Sequence, residues 1–82
     1  MVEVRFDKNF AKTFSKIKND LLREKIINQI KKISEYPEIG KPMQHNRKET
    51  RELYAKPFRL SYAYLRDKSV VYVLDLYHKS DQ

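Results

Sequence analysis

The chain has 82 residues, enough for a single domain over residues 1–82, and a chain of this length buries only roughly 60% of its unfolded surface. It has no cysteine, which excludes disulfides and thiolate zinc sites, and no apolar run near the roughly 20 residues of a membrane-spanning helix. An acidic residue lies early in the chain and no extended apolar stretch follows it, so we expect no secretory signal, no membrane association and a cytoplasmic protein.

The charge is strongly basic and concentrated in the middle of the chain. Eighteen Lys and Arg residues oppose eleven Asp and Glu residues, a net charge of +7. Within residues 41–59, six basic residues oppose Glu49 and Glu52, a net charge of +4 in nineteen positions. The six are Lys41, Arg47, Lys48, Arg51, Lys56 and Arg59. Such a segment favours a polyanionic partner, either nucleic acid or an acidic protein, although a solvated basic surface has the same composition.

The first half of the chain predicts a strand and two helices. Residues 2–6 alternate between apolar and charged side chains, as in a half-buried strand. Asp7 is placed to cap a helix containing Phe10, Phe14 and Ile17 at helical spacing, and Asn19-Asp20 to cap a second. The apolar stripe of the second helix consists of Leu22, Ile26, Ile30 and Ile33, widened by Ile27. Pro37, Gly40 and Pro42 predict a loop after it.

The second half changes to the period of a strand. A short strand over residues 51–54, an alternating strand over 58–65 and an apolar strand over 70–76 follow one another. In the middle strand, Arg59 shares a face with Ser61 and Ala63, opposite the aromatic and aliphatic residues. We therefore predict an α+β domain: a strand, two antiparallel helices covering one face, then a three-stranded antiparallel meander.

The residue types exclude several kinds of active site. Gly40 is the only glycine, so there is no glycine-rich phosphate loop, and His45 and His78 have no metal-ligand spacing. We expect no metal and no cofactor. The remaining Arg, Lys, Tyr and His side chains suit cleavage of RNA, in which the ribose 2′-OH attacks the adjacent phosphate. That reaction needs a base, an acid and fixed positive charge.

Arg59 is the strongest candidate by pattern, because its planar guanidinium can clamp a phosphate. The alternative is an ordinary exposed strand arginine, or one paired with Asp75 across the sheet. His78 and Lys79 form a basic tip after the last strand, although the composition alone is more typical of a solvated C-terminal tail. Tyr54 and Tyr77, at strand ends, are the better candidates for base stacking, whereas the other strand tyrosines fit a core.

Four segments resemble the RelE/ParE toxin superfamily, most closely the RelE-type mRNA interferases. They are Tyr36-Pro37-Glu38-Ile39-Gly40-Lys41-Pro42-Met43, Thr50-Arg51-Glu52-Leu53-Tyr54, Phe58-Arg59-Leu60-Ser61-Tyr62 and Val71-Tyr72-Val73-Leu74-Asp75-Leu76-Tyr77-His78-Lys79. The resemblance implies the toxin of a type II toxin–antitoxin pair, held by a cognate antitoxin, with a heterotetramer as one possible assembly. It also implies metal-free cleavage of mRNA in the ribosomal A site.

The resemblance assigns roles to particular residues. Arg59 takes the place of a phosphate-stabilising arginine, and Lys79 that of the basic residue after the last strand. The catalytic candidates are Arg59, Lys79, His78 and Tyr77. The RNA-binding candidates are Lys41, Arg47, Lys48, Arg51, Lys56 and Tyr54.

The sequence also departs from the RelE pattern. Two lysines of that pattern, one of them the proposed base, fall near Thr50 and Glu52, and the C-terminal helix with its tyrosine has no counterpart. Arg51, Lys48, Lys56 or His78 remain open as substitutes for the base. Two other functions stay open as well: a ParE-like inhibitor of DNA gyrase, and a non-catalytic member of the superfamily.

Overall fold

The computed structural model describes residues 2–42 and 49–78. In this part of the chain a first strand is followed by two helices and a run of strands. The elements are β1 (Glu3–Phe6), α1 (Lys8–Lys16), α2 (Asp20–Glu35), β2 (Lys41–Pro42), β3 (Thr50–Ala55), β4 (Phe58–Leu65) and β5 (Val70–His78). A 3-10 turn, Arg66–Lys68, joins β4 to β5. The strands form one sheet in the order β1-β5-β4-β3-β2.

The predicted helix starts are confirmed by side-chain caps. The Asp7 carboxylate accepts the backbone N–H of Asn9, and the Asn19 side chain accepts the N–H groups of Leu21 and Leu22. These bonds satisfy N–H groups that have no partner within the helix. The cap therefore sets where α2 begins, whereas the spacing of its apolar residues sets the buried face, from which Leu21 is excluded.

The predicted α+β order and the meander are confirmed, but the sheet as a whole is mixed. β3, β4 and β5 pair antiparallel in sequence, whereas β1 pairs parallel with β5 at the edge. The predicted loop around Pro42 also contains a strand, because Lys41 pairs with Glu52 and Pro42 with Arg51. Alternation along a strand indicates that one of its faces is buried, but it does not give the direction of the neighbouring strand.

The core lies between the helices and one face of the sheet. Phe10, Ile17, Ile26 and Ile33 from the helical half pack with strand residues in one buried cluster. The strand members of that cluster are Ala55, Leu60, Tyr62, Val71, Val73 and Leu76. Ile27 is 43% exposed, so the prediction that it widens the buried stripe is wrong. Neither helix is long and apolar enough to cross a bilayer.

A β-bulge in β5 decides which side chains leave the core face. Ser61 of β4 pairs with Asp75, but the next residue, Tyr62, pairs with Val73, so Leu74 is the extra residue. A bulge of this kind reverses the alternation of one strand relative to its partner. Before it, Val71 and Val73 face the core; after it, Leu76 does, and Tyr77 points to the other side.

The loop after α2 is held to the centre of the sheet by one phenol. The Tyr62 hydroxyl donates to the carbonyl oxygen of Pro37 at 2.8 Å and accepts the backbone N–H of Gly40 at 2.8 Å. Burial raises the pKa of Tyr62 above its ordinary value, so the neutral phenol is the form that fits. A Cβ at Gly40 would lie 2.6 Å from the Tyr62 oxygen, so the close approach requires glycine.

Replacing Tyr62 with phenylalanine should therefore destabilise the protein by about 1–3 kcal/mol, because a buried N–H and a carbonyl lose their partner together. Urea unfolding followed by circular dichroism measures the change. Tyr64→Phe is the matched control, since the part of the chain that the structure describes offers its hydroxyl no hydrogen bond. An equal, small effect of both substitutions would show that the Tyr62 hydrogen bonds do not hold the loop.

Candidate functional site

The face of the sheet turned away from the helices carries a compact polar cluster, and we call this face the open face. Residues paired across neighbouring strands point to the same side of a sheet. Tyr54, Arg59 and Tyr77 therefore form one row across β3, β4 and β5. Glu52 belongs to the adjacent row with Ser61. The structure thus brings together three of the predicted site residues and adds a carboxylate.

Arg59 lies at the centre of this cluster. Its Nη1 donates to Oε1 of Glu52 at 2.8 Å, and its Nη2 donates to the Tyr54 hydroxyl at 3.3 Å. The guanidinium carbon also lies 5.1 Å from the centre of the Tyr54 ring, within the range of a cation–π contact. The side chain is 21% exposed, so it lies largely within the cluster while one edge stays open to solvent.

Glu52 connects the arginine to the neighbouring strand. Its second carboxylate oxygen accepts a hydrogen bond from the Tyr77 hydroxyl at 2.8 Å. The carboxylate therefore joins a permanent cation on one side and a phenol on the other. The predicted alternative of an Arg59–Asp75 pair is wrong, since Asp75 lies opposite Ser61 and accepts the backbone N–H of Leu76.

The electrostatics of the cluster keep Arg59 charged. The hydrogen bond to Tyr54, followed by the negative charge of Glu52, raises the pKa of Arg59 above its ordinary value despite partial desolvation. Its Nε atom is buried and has no hydrogen-bond partner among the described residues. Leaving a charged donor unpaired is unfavourable, so the Nε of Arg59 is an unused donor inside the cluster.

His78 lies on the other side of the sheet. It pairs with Phe58, and the two rings make an edge-to-face contact at 5.8 Å between centroids. Arg59, one residue along β4 from Phe58, points the opposite way. The structure therefore separates His78 from Arg59 and leaves Tyr77 as the catalytic candidate beside it.

The predicted RNA-binding residues are dispersed. Lys41 pairs with Glu52 in register, so it extends the polar row at the edge of the open face. Arg51 donates to the carbonyl oxygens of Gly40 (2.7 Å) and Glu38 (3.0 Å), so it braces the loop. Lys56 is exposed in the β3–β4 turn. The other predicted site residues, Arg47, Lys48 and Lys79, lie outside the described residues.

Glu52 is the functional candidate that the sequence reasoning missed as a participant. The sequence marks it only as a departure at a position where a lysine was expected. The available signal was the hairpin itself: a two-residue turn at Lys56-Pro57 brings Glu52 within one row of Arg59. In the described residues, no three His, Asp or Glu side chains are grouped so that they could hold a metal ion.

The sequence matches one protein family, described as the ParE toxin of the type II toxin-antitoxin system parDE, over residues 4–82. No curated protein matches it. Among solved structures, the intact E. coli RelBE toxin–antitoxin complex contains a chain of 21% identity, with a TM-score of 0.81 and 100% of both chains covered.

Two further structures have the same fold. The RelBE2 toxin–antitoxin complex of Mycobacterium tuberculosis matches with 22% identity and a TM-score of 0.80, covering 95% of this chain and 98% of that one. A YoeB/ParE toxin from Agrobacterium tumefaciens matches with 12% identity and a TM-score of 0.81, covering 94% and 98%. At these identities the structural likeness establishes the fold alone.

The contact between Glu52 and Arg59 should be visible in solution. A carboxylate that bonds one side of a guanidinium slows rotation of its N–H groups, so the Nη protons of Arg59 should be resolved in low-temperature NMR spectra. Glu52→Gln should broaden them, because a neutral amide holds the guanidinium less strongly. Glu3→Gln is the control, since it removes the exposed partner of Arg5 instead. Unchanged Arg59 signals in Glu52→Gln would contradict the arrangement.

Proposed function

The chain belongs to the ParE toxin family of type II toxin–antitoxin systems, and from that premise we propose that it is a metal-independent endoribonuclease that cuts mRNA in the ribosomal A site. The observation that carries the proposal is the open-face cluster, in which Arg59 lies between the Glu52 carboxylate and the Tyr54 ring. A phosphate clamp, a proton acceptor and a stacking surface thus lie side by side. These are the groups that attack by a ribose 2′-OH requires.

Arg59 supplies the positive charge. As the 2′-oxygen bonds to phosphorus, negative charge accumulates on the non-bridging phosphate oxygens. A guanidinium already in place stabilises that charge without reorganisation at the moment of reaction. A guanidinium is cationic at every working pH, and the contacts with Tyr54 and Glu52 raise the pKa of Arg59 further.

Glu52 is the general base in this proposal, which resolves the absence of the expected lysines. One of its carboxylate oxygens removes the proton of the 2′-OH, and the 2′-oxygen then forms its bond to phosphorus. The bond from phosphorus to the 5′-oxygen breaks, leaving a 2′,3′-cyclic phosphate. The distance of 2.8 Å between Oε1 of Glu52 and Nη1 of Arg59 supports this assignment, because the proposed base and the proposed phosphate clamp are neighbours.

The two tyrosines of the row complete the proposed site. Tyr77 is the hydroxyl donor beside Glu52, and it protonates the departing 5′-oxygen. The Tyr54 side of the cluster is more open, since this residue is 42% exposed, and its ring offers a surface on which an unpaired base can stack. Lys41 at the edge of the same face adds a phosphate contact along the strand of RNA.

The proposed partners follow from the family and the charge. We propose a cognate antitoxin that restrains the toxin, in an assembly that includes a heterotetramer of two toxins and two antitoxins. Toxin–antitoxin complexes are among the solved structures with this fold, including an E. coli RelE variant bound to a peptide of the antitoxin RelB. The ribosome and its bound mRNA are the proposed target.

Arg59→Ala should abolish growth arrest and mRNA cleavage while the protein stays folded, because the substitution removes the clamp and little of the core. Induced expression, primer extension on a translated mRNA and circular dichroism measure the three properties. Arg5→Ala is a matched control: Arg5 is also a strand arginine bonded to a glutamate at 2.8 Å, but it lies on β1. Retained toxicity of Arg59→Ala, or loss of its fold, would remove Arg59 from the site.

Glu52→Gln should lower the rate of mRNA cleavage by about 10²–10⁴-fold, the usual contribution of a positioned general base. Binding to ribosomes should persist, since the substitution removes a negative charge from an RNA-binding face. Single-turnover cleavage on programmed ribosomes separates the two effects. Glu24→Gln, an exposed change on α2, should leave both unchanged. A Glu52→Gln protein with normal cleavage would mean that another group takes the proton.

Inhibition of DNA gyrase is the second candidate, and one observation favours it. Both Nη atoms of Arg59 are already bonded within the protein, so the arginine has a structural role as well. A gyrase inhibitor would need only the surface of this cluster and no proton transfer. Induced cells would then form filaments with a DNA-damage response while translation continued and mRNA stayed intact.

A further inference from the structure

The first strand of the chain forms a free edge of the sheet. β1 is the last strand in the order β1-β5-β4-β3-β2, so β5 is its only neighbour among the strands of the described residues. The opposite edge is protected, since β2 has two residues and one of them, Pro42, has no N–H group to donate. β1 has four residues and no proline. It is therefore the edge at which another strand can join the sheet.

The outward backbone groups of β1 belong to alternate residues. The N–H groups of Glu3 and Asp7 point toward β5, where they donate to carbonyl oxygens at 3.0 and 2.9 Å. Since these groups alternate between the two sides of a strand, the N–H and C=O of Val4 and Phe6 point outward from the edge. Val2 has the same phase as Val4. An added strand thus meets the donor and acceptor of Val4 at its centre, with those of Val2 and Phe6 on either side.

The side chains of β1 on the open face are charged and well exposed. Arg5 pairs in register with Tyr72, whose partner in β4 is Ala63. Ala63 is on the same side of β4 as Arg59, so Arg5 points to the open face, and Glu3 does so two positions earlier. The Arg5 and Glu3 side chains bond each other at 2.8 Å, yet they remain 54% and 59% exposed. An exposed pair of this kind contributes little to the stability of one chain, so both charges remain available to a neighbour.

We propose that this edge pairs with β1 of a second copy of the chain, in the antiparallel direction about a two-fold axis at Val4. Val4 of each copy then donates to and accepts from Val4 of the other, and Val2 of one copy does the same with Phe6 of the other. The two five-stranded sheets become one continuous sheet. The inference is independent of the proposed reaction.

The charges of β1 select this arrangement over its neighbours. About an axis at Val4, Glu3 of one copy lies opposite Arg5 of the other, and Arg5 lies opposite Glu3. An axis at Arg5 would place the two Arg5 side chains opposite each other, and an axis at Glu3 the two Glu3 side chains. Facing opposite charges stabilise an antiparallel pair, whereas facing like charges destabilise it. The sequence Glu-Val-Arg is therefore complementary to itself when it is read in the antiparallel direction.

The apolar face of the edge gains from the same arrangement. Phe6 is 51% exposed, although its ring stacks on that of Phe10 at 5.4 Å. In the paired form, Phe6 of one copy lies opposite Val2 of the other, on the side of the sheet that carries the helices. Covering an exposed aromatic ring removes apolar surface from water and strengthens the pairing. The contact remains small, so we expect an association in the micromolar range rather than an obligate dimer.

The pairing leaves the Arg59 cluster accessible. Arg59 lies on β4, which is two strands away from β1 in the sheet. A two-fold axis perpendicular to the sheet puts the open faces of both copies on the same side. The two clusters are then roughly 24 Å apart, five strand spacings of about 4.8 Å. The joined sheet covers neither cluster, so the rate of cleavage per chain should not depend on the pairing.

Analytical ultracentrifugation of the full chain tests the pairing, with Arg59→Ala in every sample so that the toxin can be produced. The average mass should rise from 10.0 kDa toward twice that value as the concentration increases. Glu3→Arg and Arg5→Glu should each weaken self-association by about tenfold or more, because each places like charges opposite one another. Glu24→Arg, the same change of charge as Glu3→Arg at an exposed position of α2, should not.

Mixing the two variants separates the proposed register from a general effect of charge. A Glu3→Arg chain and an Arg5→Glu chain have opposite charges at both facing positions. The mixture should therefore form a heterodimer, although neither variant pairs with itself. The double variant Glu3→Arg/Arg5→Glu should dimerise like the parent chain, since it only exchanges the two charges. Circular dichroism verifies the fold of every variant.

Three results would overturn the proposal. A parent chain that stays monomeric at millimolar concentration leaves the edge to a strand of a different protein. Self-association that both single variants retain places the contact between copies elsewhere on the surface. Single variants that lose self-association, but neither form a heterodimer on mixing nor recover it as the double variant, contradict the register centred on Val4. None of these results bears on cleavage of mRNA, which the Arg59 and Glu52 variants test separately.

Discussion

The hydroxyl of Tyr62 joins two layers of the molecule that the chain connects only through a loop. Because this phenol bonds to Pro37 and to the N–H of Gly40, the segment leaving α2 is fixed against the centre of β4. That position lets Lys41 and Pro42 pair with β3. It also lets Arg51 donate to the carbonyl oxygen of Gly40 in the same loop. The edge of the open face, and with it the row that contains Glu52, is thus set by a buried hydrogen bond on the other side of the sheet.

The distribution of charge has a different meaning once the contacts are known. The net charge of residues 41–59 indicated a free cationic surface, yet its two described arginines, Arg51 and Arg59, are both engaged with protein partners. By contrast, α1 has three lysines with no acid among them. A count of charges along the sequence indicates the sign of the charge on a partner. Only the pairing of side chains shows which cations of this protein are available to that partner.

The parts of the structure that depend on local chemistry could be predicted from the sequence. Asp7 and Asn19 are caps whose side chains act within three residues, and the faces of the helices follow from spacing. The contact between Glu52 and Arg59 depends on the register of a hairpin, and the parallel pairing of β1 with β5 joins the two ends of the chain. Neither leaves a periodic trace, because register and strand direction are decided by tertiary packing. Tyr77 and His78 show the limit most clearly: the last strand was predicted only as an apolar run over residues 70–76, and such a run does not reveal the bulge at Leu74 that decides their faces.

The extra residue at Leu74 reverses the faces of the sheet on which the following side chains of β5 lie. Strict alternation from Val71 and Val73 would turn Tyr77 toward the helices and His78 toward Arg59; the bulge makes the reverse true without changing any residue of β4. The position of the bulge in the last strand therefore decides two things together: which reactive groups of β5 lie beside Arg59, and that Leu76 fills the core next to Leu60. Chains that share this architecture can differ in their chemistry through strand length alone, a form of variation that an alignment of residue types would record only as a gap.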